Sequence, residues 1–129
     1  MHENEISEKV IGAGIEVHRT LGPGLLESVY EEALCHELHL RGLKFRRQKR
    51  VPIKYKGVVL KSDFRLDLLV EDKVIVDLKA KERLAPTDKP QLLTYLPLSD
   101  LRLGLIMNFH AELLRDGIAR VVNNLSEPS

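Results

Sequence analysis

A chain of 129 residues, 43% hydrophobic and 30% charged, is the size of one domain and can bury a core without disulfides or a structural metal. Its single cysteine, Cys35, excludes an intramolecular disulfide and a cysteine-based metal site, and a formal net charge of +1 excludes trapping of nucleic acid by overall charge. No apolar run approaches the roughly 20 residues that span a bilayer, and the segment from Met1 to Ser7 lacks a signal-peptide core, so the expected compartment is the cytoplasm, without a membrane partner.

Ile6, Val10, Ile11, Ala13, Gly14 and Val17 recur at helical spacing, which predicts an amphipathic helix ending near Thr20. Leu21-Gly22-Pro23-Gly24 stops it, since glycine suits a helix C-cap and proline cannot continue the ladder. A second helix is expected over about Leu25 to Leu40, with Leu26, Val29, Tyr30, Ala33, Leu34 and Leu38 inward, ended by Gly42. Cys35 lies inside it between Leu34 and His36 and reads as a packing residue.

The period then changes to two. Phe45 opens a stretch in which Val51, Ile53 and Tyr55 alternate with polar residues, and Lys56-Gly57 reads as a turn into a short strand at Val58 to Leu60. Phe64 to Val70 and Val74 to Ala80 are two further strands around Glu71-Asp72-Lys73. Pro86 to Asp88 supplies breakers and a cap for a short helix from about Lys89 to Leu96, stopped by Pro97. Leu103 to Phe109 reads as a buried strand and Ile118 to Val122 as an edge strand. The order describes one α/β domain over residues 1–125, a mixed central sheet flanked by helices, with a frayed tail at 126–129.

Charge is unevenly placed. No acidic residue falls between Leu38 and Ser62, while Arg41, Lys44, Arg46, Arg47, Lys49, Arg50, Lys54, Lys56 and Lys61 do. Such a stretch suits a phosphate-facing strip and equally an edge strand guarded by cations.

The chemistry concentrates in Asp67, Asp77 and Lys79. Alternation puts Ile75, Asp77 and Lys79 on one face of their strand and Asp67 on one face with Arg65 and Leu69. If Glu71-Asp72-Lys73 is a three-residue loop, Val70 opposes Val74 and Asp67 stands opposite Asp77; a two-residue loop sends the aspartates to opposite faces. Two like charges facing each other across a strand pair destabilise it, and a hard divalent cation such as Mg²⁺ compensates through one or two carboxylates. Lys79 could then orient water or steady charge on a phosphate; an ordinary exposed ion pair is the plainer account. Glu27 with Tyr30, and Gln91 with Tyr95, each share a helix face. The five histidines show no metalloprotease spacing, His18 suits a helix-end cap, and a phosphate loop of the Gly-x-x-x-x-Gly-Lys type is missing.

Gly24-Leu25-Leu26-Glu27-Ser28-Val29-Tyr30 resembles the Gly-x-x-Glu-x-x-Tyr signature of the GxxExxY proteins, a branch of the PD-(D/E)XK nuclease superfamily. The resemblance runs from Ile15-Glu16-Val17-His18-Arg19 through Val51-Pro52-Ile53, Asp67-Leu68-Leu69-Val70, Val76-Asp77-Leu78-Lys79-Ala80 and Gln91 to Tyr95, ending at Gly104-Leu105-Ile106-Met107-Asn108-Phe109. It implies a restriction-endonuclease-like fold and a Mg²⁺- or Mn²⁺-dependent nuclease. Asp67, Asp77, Glu27 and the Leu78 carbonyl would be metal ligands. Lys79 would be the catalytic lysine, and Gln91 and Tyr95 would stand beside the site. Arg46, Arg47, Lys49, Arg50, Arg65 and Lys81 are the candidate contacts to nucleic acid, DNA in preference to RNA, and a chain this small is expected to use a second copy or a partner protein to embrace a duplex. Asp77 stands where the family usually carries glutamate, and Leu66 where the superfamily's name has proline. A non-catalytic module on the same fold and a protein-interaction adaptor are the competing readings.

Overall fold

The computed structural model describes residues 1–127, so the expected tail lies partly, at residues 128 and 129, outside the described residues. Helices α1 (Glu3–Leu21) and α2 (Glu27–Leu40) precede strands β1 (Phe45–Tyr55), β2 (Val58–Val70) and β3 (Val74–Lys79). Helix α3 (Asp88–Leu98) leads into β4 (Leu103–Asn108), and a 3-10 turn (Leu114–Gly117) into β5 (Ile118–Val122). The sheet runs β1-β2-β3-β4-β5 in chain order. Every neighbour pair is antiparallel except β3 and β4, whose parallel pairing needs the α3 crossover.

Each face of the sheet carries its own core. Val74, Val76 and Leu78 of β3 join Leu68, Val70, Leu105 and Met107 beneath α1 and α2, where Ile6, Val10, Tyr30 and Leu34 meet them. Ile75 faces the other way with Leu66, Leu69 and Ile106, beneath Leu92 and Leu96 of α3. The helix comes close because β4 offers Gly104 there: a Cβ at that position would lie 2.8 Å from a Leu92 methyl. Among the described residues, no helix is long and apolar enough to cross a membrane.

The elements follow the sequence pattern with instructive departures. Helix α2 begins two residues later than expected, because Leu26 takes extended backbone as the N-cap and leaves its side chain 74% exposed; Val29 is exposed as well. Residues 58–60 and 64–70 form one strand, since Asp63 and Phe64 keep their pairing with Pro52 and Val51 through the polar interval. Strand β3 stops at Lys79, and α3 runs through Pro97 to Leu98, where Ser99 N–H closes the last turn on the Tyr95 carbonyl at 3.0 Å. His18 is buried and donates to the Ala111 carbonyl at 2.7 Å.

Candidate active site

The turn between β2 and β3 fixes the site. Glu71 and Asp72 take left-handed φ values of 53° and 56°, Lys73 N–H donates to the Val70 carbonyl at 3.1 Å, and Glu71 accepts from Lys44 N–H at 2.5 Å. The register that follows pairs Val70 with Val74, Leu69 with Ile75 and Leu68 with Val76, which is the three-residue loop. Carried one step further, that register would set Asp67 opposite Asp77, but the ladder ends at Leu68 and Val76. There the strands part, and the Asp67 side chain takes over, its Oδ2 accepting the Leu78 N–H at 3.0 Å.

Strict alternation breaks at this point. Leu66 belongs to the cluster beneath α3 and Leu68 to the cluster beneath α1 and α2, although they are two residues apart. Phe64 and Leu66, and not Arg65, share the α3 side with Leu69. On the facing strand the ladder pairs Arg47 with Leu68 and Lys49 with Leu66, while Gln48 between them takes φ 51°. The kink lets Asp67 face β3 instead of the core or bulk solvent.

A pocket of about 140 Å³ opens here, lined by Glu27, Arg65, Leu66, Asp67, Asp77 and Lys79 together with Gln91 and Tyr95. Lys79 Nζ lies 3.4 Å from Asp77 Oδ1, with both side chains about four-fifths buried. Burial pushes the Asp77 carboxyl up to about 7, with Asp67 reinforcing the shift and Lys79 opposing it. Burial pulls the Lys79 ammonium down, yet Asp77, Asp88 and Asp67 together hold it above its ordinary range. Glu27, at the exposed start of α2, is raised by partial burial and then by the charge of Asp67. Tyr95 stacks on Phe64 at 4.1 Å between ring centroids, which fixes α3 against β2.

Among the described residues, no three His, Cys, Asp or Glu side chains are grouped so as to hold a metal ion. The grouped carboxylates are the pair Asp67 and Asp77, with Glu27 at the rim of the same pocket. That pair suits a hard divalent cation, which binds through one or two carboxylates and keeps its waters. The Asp77 carboxyl is raised chiefly by its burial, with Asp67 adding to the shift.

The candidate cations are divided. Arg65 lines the pocket, and Arg46, Lys49 and Arg50 line a larger groove beside it. Arg47 turns to α2, donating to Glu31 Oε2 at 2.9 Å. Lys81 is held 2.6 Å from the buried Asp88, whose carboxylate also accepts Ala85 N–H at 2.7 Å; Arg46 pairs with Asp72 and Arg50 with Asp63. The exposed pairs of Arg46 and Arg50 contribute little to stability.

Two residues outside the candidate set position it. Asn108 is buried; its Nδ2 donates to the Lys81 carbonyl at 2.8 Å and its Oδ1 accepts Lys81 N–H at 3.2 Å, clasping the chain just past the lysine. Tyr30 is fully buried, stacks on Phe109 at 4.6 Å, donates to the Gly22 carbonyl at 2.5 Å and accepts Leu25 N–H at 3.0 Å, so it ties down the loop that leads into Glu27. The signal for Asn108 was one polar side chain at the end of an apolar run, which a buried strand tolerates only when hydrogen-bonded. Tyr30→Phe keeps the ring stack and strands the Gly22 carbonyl, so urea denaturation is expected to show a loss of about 1–3 kcal/mol.

A family model described as the PD-(D/E)XK nuclease superfamily matches residues 4–121. No curated protein and no solved structure matches the chain. Because the match takes in both helical layers, all but the last residue of the sheet and every side chain that lines the pocket, the chain belongs to the PD-(D/E)XK nuclease superfamily.

Proposed function

We propose that this protein is a Mg²⁺- or Mn²⁺-dependent nuclease of the GxxExxY branch, acting on DNA in preference to RNA. The observation that carries the reading is the opposed, mostly buried pair Asp67 and Asp77 with Lys79 Nζ 3.4 Å from one of them. Gly24, Glu27 and Tyr30 support the branch. Asp67 and Asp77, with the Leu78 carbonyl and Glu27, are the groups that would hold the cation, which when bound supplies Lewis-acid stabilisation of the phosphate and lowers the pKa of water.

The chain's own residues do the rest. Lys79 stays protonated at neutral pH, so it acts as a fixed cation toward charge developing on the phosphate, not as a base. The Asp67 bond to Leu78 N–H locks the acid to the strand that carries Lys79. Gln91 and Tyr95 border the pocket where the flanking nucleotide enters. Water oxygen attacks phosphorus as the bond to the 3′ oxygen breaks, leaving a 5′-phosphate and a 3′-hydroxyl.

Among the described residues no third carboxylate groups with Asp67 and Asp77, which favours one other reading, a nucleic-acid-binding module on the same fold that does not cut. End-labelled single- and double-stranded DNA and RNA, incubated with Mg²⁺, Mn²⁺ or EDTA, separate the two. Cutting with either metal and none in EDTA is expected; intact substrate under every condition leaves the binding module.

A further inference from the structure

Helix α3 packs on β4 and β5 and reaches β2 through the Tyr95–Phe64 stack. The β1–β2 half of that face is left as an open groove of about 670 Å³. Its floor is apolar, formed by Val51, Leu66 and Leu69, and its wall is the C-terminal end of α3 at Pro97 and Leu98, both exposed. Arg46, Lys49, Arg50 and Lys54 line it against one acid, Asp72, which is already paired with Arg46. Register aims two of these cations at the floor: Arg46 stands opposite Leu69 and Lys49 opposite Leu66, and cross-strand partners share a face. Leu66 lines both this groove and the candidate pocket, so the two adjoin.

We infer that the groove holds a single nucleic-acid strand beside the scissile phosphate, its bases against the apolar floor and the Pro97–Leu98 wall, its phosphates on Arg46, Lys49 and Lys54. The inference rests on the nuclease reading and narrows its substrate to single strands and unpaired ends. A cationic rim tracks a single backbone, and the exposed Pro97 and Leu98 offer apolar surface to bases whose faces a duplex hides.

Fluorescence anisotropy in EDTA, with short labelled DNA and RNA strands and the matching blunt duplex, tests this on the full chain. Strands are expected to bind at least about tenfold tighter than duplex. In Arg46→Ala/Lys49→Ala, whose fold is checked by thermal melting, the slope of log affinity against log salt is expected to fall by about 1.4, at about 0.7 per lost phosphate contact. Equal or tighter binding of duplex overturns the inference, as does an unchanged salt slope. Displacement of the strand by poly-glutamate at lower concentration than by unlabelled DNA also overturns it, in favour of an acidic protein. Calorimetry with Mn²⁺ reports on the acid pair separately. Strand binding without Mn²⁺ binding would keep the groove and remove the nuclease reading; Mn²⁺ binding without strand preference would do the reverse.

Discussion

Asp77→Asn is expected to abolish nuclease activity and, in EDTA, to make the protein more stable than the wild type. Both results come from one carboxyl. In the folded state Asp77 holds its proton up to about 7, against an ordinary value of 3.8. Between those values the native state binds more protons than the unfolded chain, so stability falls as pH rises through this window and the full cost is present above pH 7. The asparagine variant does not titrate, so its advantage should be small at pH 4, grow through pH 7 and then level off, reaching about 1–3 kcal/mol. Mg²⁺ or Mn²⁺ should raise the wild-type melting temperature at pH 8, because binding to the native state alone stabilises it, and should leave the variant unmoved. Parallel melting curves for the two proteins from pH 4 to 8 in EDTA would show that the Asp77 carboxyl is not raised by its burial beside Asp67.

Lys79→Ala separates chemistry from metal binding. Losing a fixed cation aimed at the developing charge is expected to lower kcat about 10²–10³-fold. It leaves both aspartates in place, so calorimetric Mn²⁺ affinity should hold or rise, with a neighbouring positive charge gone. Normal cutting by this variant would remove Lys79 from the mechanism. Loss of Mn²⁺ binding would instead make it a structural partner of Asp77. Because Lys79 is largely buried beside Asp77 and Asp88 also feels its charge, Lys79→Met provides a control of similar length that separates lost charge from lost packing.

Much of this was legible in the residues. The alternation of Val74, Val76 and Leu78 with Ile75, Asp77 and Lys79 gave both faces of β3 correctly, and the structure selected the three-residue loop from the two open registers. What a period-two reading cannot show is where the period fails. Asp67 sits at such a failure, between Leu66 on one face and Leu68 on the other, and the cause lies partly on the neighbouring strand at Gln48. Leu26 departs from its expected inward place for a similar reason: helical spacing assumes helical backbone, and this residue is an extended N-cap. The basic stretch looked uniform because three of its neutralising partners, Glu31, Asp63 and Asp72, stand outside it in sequence and meet their cations only after folding. Asn108 and Tyr30 were visible as residues, but their role is a set of backbone contacts with chain segments far away or on the other side of a turn.

The turn at residues 71–73 has a consequence for how such a protein can vary. The β1–β2 turn at Lys56 and Gly57 lies beyond the reach of β3, and the pairing already slips between Pro52 and Lys54, so a gained or lost residue there can be absorbed. Residues 71–73 have no such slack. Deleting one would exchange the two faces of β3, driving Asp77 and Lys79 toward the α1–α2 core and bringing Val76 and Leu78 into the pocket. Side chains around the site can change one at a time, but the length of this turn can change only together with the strand that follows it. Related chains should therefore differ freely in the length of the first hairpin and hardly at all in that of the second.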